Sequence, residues 1–419
     1  MALALTEEER AWAAGEGVAP ALAMATRIVA ETARFLGAER LIPVVSAHID
    51  GCLYHGDSGT EFAEKLIAGE GRVRVPSTLN VGALDLLNPK RVRGGQHHFE
   101  MALRMMRAYQ ALGCQPTWTC APYQAGHRPG LGEHVAWAES NAVAFCNSVL
   151  GARTNRYGDF LDICAAVSGR ASYSGLHLTE NRRASIVLNT SAISPALKDT
   201  DAFYPVLGAI LGREAGNAVA VIDGLPKGVS EDRLKALGAA AASTGAVGLF
   251  HVAGTTPEAP TLEAALAGQA PARIVNVTPE MARCSRDSLS TVAAERIDAV
   301  AVGSPHFSEG EVAELERLLA GRRFAVPFYV CTRRDVVGML ERERRLKPLE
   351  AAGVAIVADT CVVVTPILPE GGGVLMTNSG KFAHYTPGNT GWEVVYGSLG
   401  DCVASALTGR VARDERLWQ

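Results

Sequence analysis

Ala218-Val-Ala-Val-Ile222 and Val247-Gly-Leu-Phe-His-Val252, with the helical stretch Glu231–Ala242 between them, decide the fold. Short runs of apolar and β-branched residues between turn formers read as strands. Two strands with a helix between them make a βαβ unit, whose strands lie parallel. The rhythm runs on through Ile274-Val-Asn-Val277, Ala299-Val-Ala-Val302 and Phe328-Tyr-Val330, with Glu309–Leu319 helical. Upstream, Leu41-Ile-Pro-Val-Val-Ser46 and Val73-Arg-Val-Pro76 read as further strands, each followed by a polar loop. Helices are expected over 22–37, 61–66 and 99–112, and Glu133 to Leu150 reads as one interrupted helical stretch. Downstream, Val354-Ala-Ile-Val357 reads as a strand and a last helix begins near Ser398. The predicted class is α/β with parallel-sheet βαβ domains. Residues 1–200 with 351–419 are expected to form the region that carries the site, and 201–350 a second βαβ domain.

A chain of 419 residues exceeds what one core usually serves. Hydrophobic residues at 48% and charged residues at 20% fit a packed globular protein. A net charge of −4 argues against a nucleic-acid partner. Nine cysteines are too sparse for a disulfide scaffold, and they predict a cytoplasmic protein with reduced thiols. Thr6-Glu-Glu-Glu9 reads as a helix-opening capping box rather than part of a secretory signal. No run approaches the roughly 20 apolar residues a membrane helix needs, so no membrane partner is expected.

Three cysteines stand in polar or glycine-rich settings. They are Cys120 in Thr117-Trp-Thr-Cys-Ala-Pro-Tyr123, Cys361 in Ala358-Asp-Thr-Cys361, and Cys402 in Gly397-Ser-Leu-Gly-Asp-Cys402. Three thiolates can hold an iron–sulfur cluster and leave one iron open to a small-molecule substrate. Such an iron is a Lewis acid suited to eliminating water. Cys402 is expected in the first turn of a helix, where the dipole lowers a thiol pKa. The alternative is that all three are inert buried thiols in a non-catalytic scaffold chain. Cys146, Cys164, Cys284 and Cys331 read as structural, and Cys52 and Cys114 remain open.

Other side chains complete the candidate set. His48 with Asp50 can protonate a departing hydroxyl. Arg153, Asn155 and Arg156 can hold a carboxylate. Asn378-Ser-Gly-Lys381 offers Ser379, backbone N–H groups and Lys381 to an anion, although Phe382 and the glycine spacing exclude a Walker loop.

These segments carry a resemblance to a known family. Ala47-His-Ile-Asp-Gly51, Pro76-Ser-Thr-Leu-Asn-Val81, Thr119-Cys-Ala-Pro-Tyr123, Ala136-Trp-Ala-Glu-Ser-Asn141 and Asn147-Ser-Val-Leu-Gly-Ala-Arg-Thr-Asn-Arg156 resemble the aconitase X family. So do Asp359-Thr-Cys361, Thr377-Asn-Ser-Gly-Lys381 and Gly397-Ser-Leu-Gly-Asp-Cys402. The resemblance implies an aconitase-like multi-domain architecture and an iron–sulfur cluster on Cys120, Cys361 and Cys402. It places His48, Asp50, Ser379 and Lys381 among the catalytic candidates. Thr78, Asn80, Glu139, Ser140, Asn141, Arg153, Asn155 and Arg156 are the candidates for binding substrate. His48-Ile-Asp-Gly-Cys-Leu-Tyr54 and Trp118-Thr-Cys-Ala-Pro-Tyr-Gln124 are more similar to members that dehydrate cis-3-hydroxy-L-proline to a pyrroline-2-carboxylate. Members that dehydrate mevalonate 5-phosphate are the second match. The family also uses a small swivelling domain that supplies a catalytic serine. No counterpart is visible in this sequence, so a separate small subunit is expected.

Overall fold

A computed structural model describes residues 3–418. The chain divides into two compact units. Unit 1 holds the residues up to Leu84 together with Gly94–Arg183; unit 2 holds Asp85–Arg93 together with Ala184 onward.

Unit 1 contains two small sheets. Strands β1 (Leu41–Pro43), β2 (Ala47–Ile49), β3 (Ser77–Leu79), β4 (Ala136–Trp137) and β5 (Arg170–Ser172) supply them. β1 pairs antiparallel with β5, and β3-β2-β4 form a parallel three-stranded sheet. The helix Pro20–Phe35 starts at Pro20, where a missing N–H costs nothing. It buries Ala21, Ala25, Val29 and Ala33 at helical spacing.

Three sequence expectations shift in this unit. The strand expected over 41–46 stops at Pro43, because partners change there: Val44 N–H bonds Gly169 O and Val45 N–H bonds His134 O, and the next strand starts at Ala47. The strand expected over 73–76 lies at 77–79. Val73 and Arg74 instead donate to Leu112 O and Ala166 O, outside the ladder. The helical stretch expected from Glu133 contains β4, and a helix, Ser140–Phe145, follows only after Glu139. Val135-Ala-Trp-Ala138 is buried throughout, and an apolar run buried on both faces has no period to distinguish strand from helix.

Unit 2 holds two parallel sheets. β6 (Ile186–Asn189), β7 (Ala220–Asp223), β8 (Phe250–Val252) and β9 (Arg273–Asn276) pair in the order β8-β7-β6-β9. β10 (Ala299–Phe307), β11 (Phe328–Thr332), β12 (Val354–Ala358), β13 (Val374–Thr377) and β14 (Glu393–Tyr396) pair in the order β12-β11-β10-β13-β14. The parallel α/β class read from the sequence is the observed one. The five-stranded sheet is buried on both faces, and alternate residues sort into two clusters. Val300, Val302, Val330, Ile356 and Met376 fill one; Ala299, Ala301, Tyr329, Cys331, Val357 and Leu375 fill the other. The division expected near residue 350 is not the one these contacts draw. β11 and β12 stand on either side of it and pair in register from Phe328 with Val354 to Thr332 with Ala358.

Helices Phe203–Ala215 and Glu231–Thr244 cross closely because glycine permits it. A Cβ on Gly208 would fall 2.2 Å from Leu237 O. The helix Leu399–Thr408 opens with a capping box between Ser398 and Asp401. No helix among the described residues is long and apolar enough to cross a membrane.

Candidate active site

In open parallel sheets, ligands gather beyond the carboxyl ends of the strands. Both units place candidate residues there.

In unit 1 Asn80, Asp50 and Glu139 lie one or two residues beyond the ends of β3, β2 and β4. Register places Thr78, His48 and Trp137 side by side across the sheet. His48 is wholly buried, and its Nδ1 lies 2.9 Å from Thr78 Oγ1. Burial first, and then His127, hold the His48 pKa well below the usual imidazole value. The ring is therefore neutral at pH 7. His48 Nε2, Trp137 Nε1 and His127 Nε2 are buried without a hydrogen-bond partner, and the Trp137 ring sits 5.7 Å from His48 and 5.3 Å from His127. Buried polar atoms without partners mark a place for an ordered water or a ligand.

The expected pairing of His48 with Asp50 does not form. Side chains i and i+2 share a face only within a strand, and β2 ends at Ile49, so Asp50 lies beyond that alternation. Asp50 instead accepts a hydrogen bond from Asn80 Nδ2. The Cys120 turn is tied to the same edge: Thr119 N–H bonds Leu79 O, and Asn141 Nδ2 bonds Cys120 O at 3.0 Å and Tyr123 Oη at 2.9 Å. Asn141 is fully buried and its Oδ1 has no partner. Glu139 caps the next helix: its Oε2 accepts from Ala142 N–H at 2.7 Å, and its Oε1 from the Ser140 hydroxyl at 3.4 Å. Eight candidates thus lie on one sheet edge: His48, Asp50, Thr78, Asn80, Cys120, Glu139, Ser140 and Asn141.

The arginine group fares differently. Arg153 Nη1 donates to His177 O at 3.1 Å and to Thr179 Oγ1 at 2.8 Å. Asn155 bonds Leu176 N–H and Ser174 O. Both side chains hold the segment 174–179 and are committed to the fold. Arg156 is exposed and stays a candidate cation.

In unit 2 the carboxyl ends of β10, β11, β12 and β13 carry Ser304 and His306, Cys331, Cys361, and Ser379 with Lys381. Ser379 caps the helix Gly380–Thr390 through Phe382 N–H, and its hydroxyl donates to Ser304 O. A serine so engaged is a structural cap, not a poised catalyst. His306 Nε2 lies 3.1 Å from Thr360 O, next to Cys361. Asp359 is fully buried with φ +64°, and its carboxylate takes both arms of the Arg334 guanidinium. Left-handed conformations in non-glycine residues are costly and cluster at functional sites. Trp118, Glu139 and Asp359 all have positive φ, and each lies within two residues of a candidate.

The cysteines separate. Cys361 belongs to the sheet cluster that also holds Cys331; Cys402 belongs to the cluster on the opposite face, with Val302, Met376 and Val403. Cys402 is wholly buried, and burial, with a smaller push from Asp401, raises its thiol pKa far above normal. The expected thiolate at a helix start is therefore corrected, because the side chain faces the core. Among the described residues, no three His, Cys, Asp or Glu side chains gather closely enough to hold a metal ion. Cys120 and Cys361 keep positions suited to ligands, in turns at strand ends. Cys52 and Cys114 have thiols pushed up mainly by burial and read as core residues. Sequence reasoning missed His127, Asp162, His306 and Arg334. Only His306 lies on a strand; Asp162 and Arg334 come in from helices and His127 from a loop, all through contacts that spacing along the chain does not show.

A parallel α/β protein with polar residues collected at its strand ends is the architecture of a small-molecule enzyme. The chain belongs to the aconitase X family: residues 2–180, 184–289 and 297–408 match its first, second and third domains. It is 44% identical over 408 residues to cis-3-hydroxy-L-proline dehydratase of Pseudomonas aeruginosa, spanning 96% of this chain and 70% of that one. It is 39% identical over 417 residues to the enzyme of the same name from Hypocrea jecorina, covering 98% and 69%. The phosphomevalonate dehydratase large subunit of Methanothermobacter thermautotrophicus is 38% identical over 364 residues, or 86% and 88%. The crystal structure of holo aconitase X from Thermococcus kodakaraensis superposes with a TM-score of 0.86 at 33% identity, covering 96% of this chain and all of that one.

Proposed function

We propose that this chain is a carbon–oxygen lyase that removes water from cis-3-hydroxy-L-proline to give a pyrroline-2-carboxylate. The observation that carries the reading is the unit 1 strand edge, where a neutral His48, Asp50, Asn80 and Asn141 are held by buried hydrogen bonds. The likeness to two enzymes named for this reaction supports the substrate.

Elimination takes a proton from Cα and hydroxide from C3. The new double bond forms between these carbons, water leaves, and the resulting enamine tautomerises to the imine. A neutral His48 cannot serve as the resting proton store that the sequence suggested. A Thr78 hydroxyl that donates to Nδ1 leaves the imidazole proton on Nε2, aimed at a departing oxygen. Asp50, steadied by Asn80, is the carboxylate assigned to proton relay. Arg156 and Lys381 are the cations assigned to the substrate carboxylate, whose charge opposes carbanion-like loss of the Cα proton. An iron–sulfur cluster, implied by the resemblance, would supply a Lewis acid for the leaving hydroxyl. Cys120, Cys361 and Cys402 are its candidate ligands. Relatives named as large subunits support a small partner subunit, to which the resemblance assigns the serine base.

The second reading, dehydration of mevalonate 5-phosphate, is favoured by the length match to the archaeal large subunits. Anaerobically prepared protein, co-expressed with a small subunit and offered cis-3-hydroxy-L-proline, tests the first reading. Stoichiometric loss of hydroxyproline with appearance of the imine is expected; an unchanged substrate contradicts it.

A further inference from the structure

Asp162 is a wholly buried acid that the proposed chemistry does not use. It lies in the first turn of the helix Leu161–Ser168. Its Oδ2 accepts from Asp50 N–H at 2.8 Å and from Gly51 N–H at 3.0 Å, and its Oδ1 accepts from Ile163 N–H at 2.6 Å. The two loop amides come from more than a hundred residues away in sequence, just past the end of β2. Space around them is closed: a Cβ on Gly51 would lie 3.0 Å from Tyr109 Oη and 3.4 Å from Asp162 Oδ1. Cys52 Sγ closes the turn from within, reaching Ile49 O and Asn80 O, each at 3.4 Å.

A neutral amide or a serine could satisfy single loop amides at less cost. A carboxylate here is expensive, because burial first, and then Asp159 and Asp50, raise its pKa to about 7 against three favourable backbone bonds. A buried acid that accepts several backbone N–H groups fixes the local geometry of the chain that carries them.

We propose that Asp162 is a positioning residue for Asp50: by holding the Asp50 and Gly51 amides it sets the turn that presents the Asp50 carboxylate beyond β2. This rests on the assignment of Asp50 to the dehydration site.

Two measurements test it. The first needs no substrate. Amide hydrogen exchange in the segment 49–53 should accelerate about tenfold or more in Asp162→Ala, with the remaining segments of unit 1 unchanged. Exchange at 49–53 equal to wild type overturns the proposal. The second is a double-mutant cycle with Asp50→Ala. In the wild-type background Asp162→Ala should lower kcat by about a hundredfold while KM moves less than about threefold. In the Asp50→Ala background the same change should lower kcat by less than about threefold. Equal losses in both backgrounds would mean a general structural role and overturn the proposal. Asp162→Asn, which keeps one acceptor oxygen, should recover part of kcat, and it carries both measurements if the alanine variant does not fold. Wild type with no turnover of hydroxyproline would defeat the substrate reading. The exchange result would still decide whether Asp162 holds the turn.

Discussion

Cys402 has no exposure and lies among apolar side chains, so Cys402→Ser buries a hydroxyl there. We expect a loss of about 1–3 kcal/mol in unfolding free energy, with bound iron and turnover lost. Cys361→Ser, at a thiol also buried among apolar side chains, should lose stability by a similar amount together with iron and activity. Iron analysis and denaturant titration of the two variants check this, and iron retained by the Cys402 variant would remove it from the ligand set. His177 offers a second residue-level test. Burial first, and then His134, Arg182 and Arg153, push its pKa down to about 3, while Tyr157 Oη sits 2.7 Å from Nε2. The unfolded chain takes up a proton below its ordinary value of 6.5 that the folded chain refuses, so this residue's contribution is lost as pH falls from 6.5 toward 3. The stability deficit of His177→Gln at pH 7 should shrink on acidification below 6.5, by at most about 1.4 kcal/mol per pH unit. A deficit that is constant or grows would contradict the neutral buried imidazole.

Among elements, the helix pair Phe203–Ala215 and Glu231–Thr244 depends on close approach. Gly208→Ala should cost about 1–3 kcal/mol or more through overpacking against Leu237 O, read as a lower denaturation midpoint. Glu139→Ala removes the side chain that accepts Ala142 N–H and should cost about 1 kcal/mol. It should also lower turnover, because the helix it caps carries Asn141. Elements with long, clean patterns were legible in the sequence: β7, β10, β11 and β12, the helix Glu309–Leu319, and the capped helix after Ser398. Elements of two or three residues were not. β2, β3 and β4 are too short to show alternation, and their pairing is set by partners 30 and 89 positions away. Ile186-Val-Leu-Asn189, a central strand, also passed without notice. The same physics limited the site. Cys120 and Cys361 stand in the polar turns the sequence shows, whereas the glycine-rich flank of Cys402 gives no sign of which sheet face its helix covers. Arg153 and Asn155 looked like ligands for an anion because their neighbours in the 174–179 segment are distant in sequence.

At the scale of the molecule, two parallel sheets present candidate residues at their carboxyl edges, one in each unit, and the family match covers almost the whole chain. The chain corresponds to about 70% of the length of the hydroxyproline dehydratases it resembles, and to most or all of the phosphomevalonate large subunits. Substrate choice is therefore the point on which the proposal is most exposed. The most direct measurement is kcat/KM for cis-3-hydroxy-L-proline and for mevalonate 5-phosphate with one anaerobic preparation of the chain and its small subunit. A preference for hydroxyproline of at least about a hundredfold is expected, since a site built for one polar group leaves its partners unpaired with the other compound. Turnover of the phosphorylated compound alone, with hydroxyproline untouched, would contradict it.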